Sequence, residues 1–83
     1  MKYEIIFQKA AQKFLRKQDS VMRKRLLQAI YQLPEGTDIK KLQGYDLYRM
    51  RIGTIRIIYS IDNVVRIISI ENIDNRGDIY KRY

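Results

Sequence analysis

Cysteine and histidine are both absent from this 83-residue sequence. Without cysteine there is no disulfide staple, no thiolate nucleophile and no Cys-based zinc site. Without histidine there is no Ser-His-Asp triad, no His-ligated metal and no His general base. Tryptophan is missing too, and one proline and four glycines leave no Pro/Gly-rich linker. Acids are scarce. Nine Asp and Glu, scattered among 17 Lys and Arg, argue against a carboxylate metal site and leave a net charge of +8. No apolar run approaches the roughly 18 residues of a membrane span. The start Met1-Lys2-Tyr3-Glu4 lacks the layout of a signal peptide, so the cytoplasm is the expected location. There is no internal repeat and no Gly-rich phosphate loop, and the latter absence argues against nucleotide hydrolysis.

What is present is an isoleucine-rich chain, 46% apolar, expected to fold as one small domain over residues 1–83. A charge of +8 on so short a chain predicts an anionic partner: nucleic acid, an acidic protein or a membrane surface. The plain alternative is charge that only keeps the surface solvated.

Tyr3 to Phe7 reads as an opening strand. From Lys9 to Lys17, Ala10, Ala11, Phe14 and Leu15 fall at helical spacing. Asp19-Ser20 supplies an N-cap for a second helix, whose stripe is Met22, Leu26, Ala29, Ile30 and Leu33. Pro34-Glu35-Gly36 ends it. Period-two alternation then predicts three strands, 47–52, 55–61 and 64–73. Gly53-Thr54 suits a type II′ hairpin turn, and Asp62-Asn63 suits another tight turn. Residues 74–77 form a loop before the tail 78–83. The expected fold is α+β: a small antiparallel sheet of about four strands with an N-terminal helical hairpin packed on one face.

A two-residue turn at Gly53-Thr54 sets Ile52 against Ile55, Arg51 against Arg56, and Met50 against Ile57. Tyr48, Met50, Ile52, Ile55, Ile57, Tyr59 and Ile61 then share the face that meets the helices. Arg49, Arg51 and Arg56 share the other, within roughly 5–8 Å of one another. Like charges opposed on a sheet destabilise it, so the cluster suggests an anion site. The competing reading is a solvated face where arginine stems cover Ile58, Val65 and Ile67 and Glu71 neutralises one cation. Arginine rather than lysine favours phosphate, which its planar fork grips at two points. The tail adds Arg76, Tyr80, Lys81 and Arg82. A tyrosine beside such a cluster can stack on an unpaired base, or it can pin the tail to the sheet.

The string Leu42-Gln43-Gly44, then Tyr48-Arg49-Met50-Arg51-Ile52-Gly53-Thr54-Ile55-Arg56-Ile57-Ile58-Tyr59, then Arg76-Gly77-Asp78-Ile79-Tyr80, resembles the RelE/ParE toxin family of toxin–antitoxin systems. The resemblance covers almost the whole chain. It implies a compact α/β domain held inactive by a cognate acidic antitoxin. RelE-like members cleave mRNA in the ribosomal A site; ParE-like members poison DNA gyrase. The RelE-like branch implies a metal-independent endoribonuclease with Arg51, Arg56, Arg76 and Tyr80 as catalytic residues. Arg49, Arg51, Lys81 and Arg82 would bind RNA. The implied partners are the antitoxin and mRNA in the A site, with no membrane and no small-molecule cofactor. The best-studied members carry Lys where this chain has Arg49 and Arg51, and arginine is a poor proton acceptor. The alternatives are a ParE-like gyrase inhibitor and a catalytically weak member that acts by binding its antitoxin.

Overall fold

The computed structural model describes residues 2–44 and 46–75. Its elements are β1 (Glu4–Phe7), α1 (Lys9–Lys17), α2 (Ser20–Ile30), β2 (Ile39–Lys41), β3 (Tyr48–Ile52), β4 (Ile55–Asp62) and β5 (Ile67–Asp74). The five strands form one sheet in the order β1-β5-β4-β3-β2. All neighbours are antiparallel except β1 and β5, which run parallel with Glu4 opposite Ile67.

The helical hairpin forms where the capping chemistry expects it. Asp19 accepts a hydrogen bond from the Met22 N–H at 2.8 Å, satisfying one donor of the first turn of α2. Arg23, one turn into α2, reaches back to the end of α1. Its Nε donates to the Leu15 carbonyl at 3.0 Å and its Nη2 to the Gln18 carbonyl at 2.6 Å. The next helix thus ties down carbonyls at the end of α1, that of Leu15, which also accepts from the Gln18 N–H, and that of the C-cap Gln18. Both helices turn their apolar stripes onto the sheet. Ala11, Leu15, Leu26 and Ile30 pack with Met50, Ile55, Ile57, Tyr59, Ile68, Ile70 and Ile73 in one core. A side chain of this size contributes about 1.5–3 kcal/mol when fully buried.

The sheet departs from expectation in three places. It has five strands rather than four, because Ile39–Lys41 pairs antiparallel with β3, Ile39 opposite Met50. Three residues, two of them lysine, carry too little period-two signal to stand out, and lysine on an edge strand discourages pairing with other chains. The β4–β5 connection is not a two-residue turn. Residues 63–66 make it, with the Asp62 carboxylate accepting from the N–H groups of Val64 (2.9 Å) and Val65 (3.2 Å). Val65 is therefore an exposed loop residue and not part of a strand. Finally, β5 carries a bulge: Ile58 pairs with Asn72 but Tyr59 with Ile70, so Glu71 is the extra residue. The bulge shifts the alternation by one, which lets Ile68, Ile70 and Ile73 all reach the core.

Candidate anion-binding site

The β3–β4 hairpin has the register read from the sequence: Ile52 opposite Ile55, Arg51 opposite Arg56, and Met50 opposite Ile57. Gly53 adopts φ 61 while Thr54 stays out of the left-handed region, as a type II′ turn requires. The Arg51 N–H points away from β4 and donates to the Asp38 carbonyl at 3.2 Å. Arg51 and Arg56 are therefore a non-hydrogen-bonded pair, the kind in which facing side chains lie closest, with Cβ atoms about 4.5–5.5 Å apart.

Two rows cross the sheet on this face. Asp38, Arg51, Arg56 and Asp74 make the first, since Arg56 also faces Asp74 of β5. Lys40, Arg49, Ile58 and Asn72 make the second. Arg49, Arg51 and Arg56 thus come together with Lys40 beside them. They differ in exposure: Arg49 is buried at 8%, Arg51 is exposed, and Arg56 is half-buried. Ile58, expected on this face, is on it and fully buried.

Of the two acids in the first row, Asp38 bridges two of these cations. Nη1 of Arg49 donates to its Oδ1 and Nε of Arg51 to its Oδ2, both at 3.0 Å. The Arg51 hydrogen bond holds the Asp38 carboxyl below the usual carboxylate range; desolvation opposes this and Arg49 adds to it. Glu71, expected beside the arginines, instead accepts from the Ser60 hydroxyl at 3.2 Å. The sequence reading missed Asp38 and Lys40. The only signal was the short Asp38-Ile39-Lys40-Lys41 run. Arg76, Tyr80, Lys81 and Arg82 lie outside the described residues. Among the described residues, no three carboxylates converge to hold a metal ion, and no helix is long and apolar enough to cross a membrane.

An arrangement of this kind suits an oxyanion. Arg51 meets Asp38 through Nε, and a phosphate takes two parallel hydrogen bonds from the Nη1/Nη2 edge of a guanidinium. Arg56, directly opposite, brings a second guanidinium to the same row.

Comparison with known proteins places the chain by family and fold. Residues 5–80 match the family described as the ParE toxin of type II toxin-antitoxin system, parDE. The archaeal RelE–RelB complex from Pyrococcus horikoshii OT3 contains a chain 31% identical, with TM-score 0.77 over 93% of this chain and 98% of that one. The RelB–RelE antitoxin–toxin complex from Methanococcus jannaschii gives 28% identity and TM-score 0.74, covering 94% and 98%. The intact E. coli RelBE complex, at 22% identity and TM-score 0.73 over 88% and 95%, shares the fold. None of the curated proteins matches the chain in sequence. With a family match over nearly its full length and RelE structures as its structural neighbours, the chain belongs to the RelE/ParE family of type II toxin–antitoxin toxins.

Proposed function

We propose that this chain is a RelE-like toxin: a ribosome-dependent mRNA endoribonuclease of the cytoplasm, one domain over residues 1–83. Arg51, Arg56, Arg76 and Tyr80 carry the reaction, and Arg49, Arg51, Lys81 and Arg82 hold the RNA backbone. The observation that carries the reading is the direct facing of Arg51 and Arg56 with Arg49 on the same sheet face. Two opposed guanidinium groups repel each other; a carboxylate lies in the row on either side of the pair, Asp38 beside Arg51 and Asp74 opposite Arg56, and a phosphate between the two would be an anion that both share.

In this mechanism the 2′-oxygen of the RNA attacks the adjacent phosphorus in line. The 2′-OH proton leaves, the P–O5′ bond breaks, and the departing O5′ takes up a proton. The products are a 2′,3′-cyclic phosphate and a free 5′-OH. Arg51 and Arg56 stabilise the charge that grows on the phosphoryl oxygens, an effect worth a few kcal/mol per preorganised donor. Tyr80 orients or stacks on the base. No metal takes part.

The partner is an antitoxin, as in the toxin–antitoxin complexes of the structural neighbours, and we read it as an acidic one. The net charge of +8 supports this. So do exposed apolar residues on the helical side: Val21 at 78% exposure, and Tyr31 at 61%, the latter lining one hollow with Arg23, Lys24 and Leu27.

The deciding experiment induces the protein and maps mRNA 5′ ends with and without ribosomes, alongside a gyrase supercoiling assay. Cleavage only on ribosomes supports the proposal. Intact mRNA with inhibited gyrase replaces it by the ParE-like reading, which the family match to ParE toxins favours.

A further inference from the structure

Asp38 is an unexpected neighbour for an oxyanion site, because a carboxylate beside the arginines repels the phosphate they are read as binding. Its own geometry is specific. Asp38 adopts φ 56, a left-handed conformation that few non-glycine residues take and that Asp and Asn tolerate best. Its carbonyl is tied to the Arg51 N–H. Both carboxylate oxygens are then spent on arginines, Oδ1 on Nη1 of Arg49 and Oδ2 on Nε of Arg51. The two ends of this bridge differ: the Arg49 side chain is 10% exposed and that of Arg51 46%. One arginine is packed in place and the other reaches solvent.

We infer that Asp38 is a positioning residue: anchored by the buried Arg49, it grips Arg51 by Nε and so fixes the Nη1/Nη2 edge of Arg51 for a phosphate. The inference rests on the proposed phosphate-binding role of the arginines. A guanidinium carries its donors in a rigid plane, so one bond at Nε sets the direction of the remaining edge. An untethered arginine loses rotamer freedom on binding, and prior ordering removes that cost from the binding step. The exposed Asp38–Arg51 contact adds little to stability; what Asp38 contributes to the fold comes from its bond to the buried Arg49, so the grip on Arg51 is the part that stability does not account for.

The sign of the effect makes the inference testable. Simple electrostatics says that removing an acid next to a phosphate site tightens RNA binding. Positioning says that it weakens it. The probe is a fluorescein-labelled single-stranded oligoribonucleotide with a 2′-O-methyl backbone, which is not cleaved, titrated with the full chain. Asp38→Asn and Asp38→Gly both accept a left-handed backbone. Each should weaken binding about fivefold or more, with Gly at least as damaging as Asn, and a melting temperature still well above the assay temperature separates this from loss of fold. On an Arg51→Ala background the same substitutions should change affinity by less than about twofold, because Asp38 then has no exposed arginine to orient. Tighter binding, or an equal loss in both backgrounds, overturns the assignment. If Arg51→Ala alone leaves affinity unchanged, the phosphate-site reading fails first and the positioning role falls with it. The wild-type chain gives a check free of mutation: the Arg51 Nε–H resonance should be protected from solvent exchange, and rapid exchange overturns the grip.

Discussion

Tyr48 and Tyr59 stack on each other, ring centroids 5.6 Å apart and planes 19° from parallel, on the core side of the hairpin whose other side carries Arg51 and Arg56. The same register makes both pairs. A slip of β3 by one residue would break the tyrosine stack and move Arg49 and Arg51 to the helix face, so the aromatic pair and the buried isoleucines hold the cations in register.

Arg56→Ala should therefore separate chemistry from stability. Arg56 faces Arg51 on one side and Asp74 on the other, so one repulsion and one attraction are lost together. The change in stability should stay within about 1 kcal/mol in thermal unfolding. RNA cleavage on ribosomes should fall on the order of 10²-fold, as for one lost preorganised donor. The salt dependence of single-stranded RNA binding should flatten by about 0.7 log units per log salt, one phosphate's worth. Full toxicity in this variant would rule out the nuclease reading.

Asp38 sets a behaviour on the acid side. Its carboxyl titrates below its usual value of 3.8 because Arg51, then Arg49, hydrogen-bond the charged form. A carboxyl depressed by folding adds stability above the unfolded pKa, and that stability is lost as pH falls through the folded value. The melting difference between wild type and Asp38→Asn should thus be level from about pH 5 to 8 and shrink below 3.8. A difference that instead changes between pH 6 and 8 would contradict the assignment.

The alkaline side belongs to Tyr59. Burial, with Tyr48 adding, pushes its hydroxyl from 10.0 up to about 12. The folded state then keeps a proton that the unfolded chain gives up, so stability falls as pH rises from 10 toward 12. The loss is on the order of 2–3 kcal/mol across that interval. Tyr59→Phe has no such proton. Chemical denaturation at stepped pH should show the wild type losing stability relative to Phe only above pH 10.

Asp19→Ala probes the opposite end of the molecule. It removes the cap on the Met22 N–H and should cost about 1 kcal/mol. RNA affinity at temperatures well below melting should not change, because α2 packs against the other face of the sheet. A loss of affinity with no loss of stability would mean that RNA also contacts the helices.

Much of this was legible in the residues. Alternation from Tyr48 to Ile61 and a glycine at the first turn position are local signals, and they set the hairpin and its two faces. The cap at Asp19 is equally local. What escaped was non-local or short. Strand β2 is three residues with two lysines, so its pairing is decided by β3 and not by its own pattern. Val64 and Val65 have strand propensity, yet the Asp62 side chain folds them into a turn. The bulge at Glu71 breaks the period of β5. Asp38 joins the site only because a left-handed backbone and the β2–β3 register carry it to arginines more than ten residues away.

The pairing of the first strand with the last has a consequence for synthesis. The arginine hairpin closes over neighbouring residues, but β1 finds its partner only at Ile67 and beyond. Loop closure over that distance is slow compared with a hairpin. A nascent chain leaving the ribosome therefore carries the cationic hairpin before it owns the sheet that fixes it. The finished geometry arrives only after β5 has emerged, so a growing copy cannot hold a completed arginine row while most of its own message is still being read.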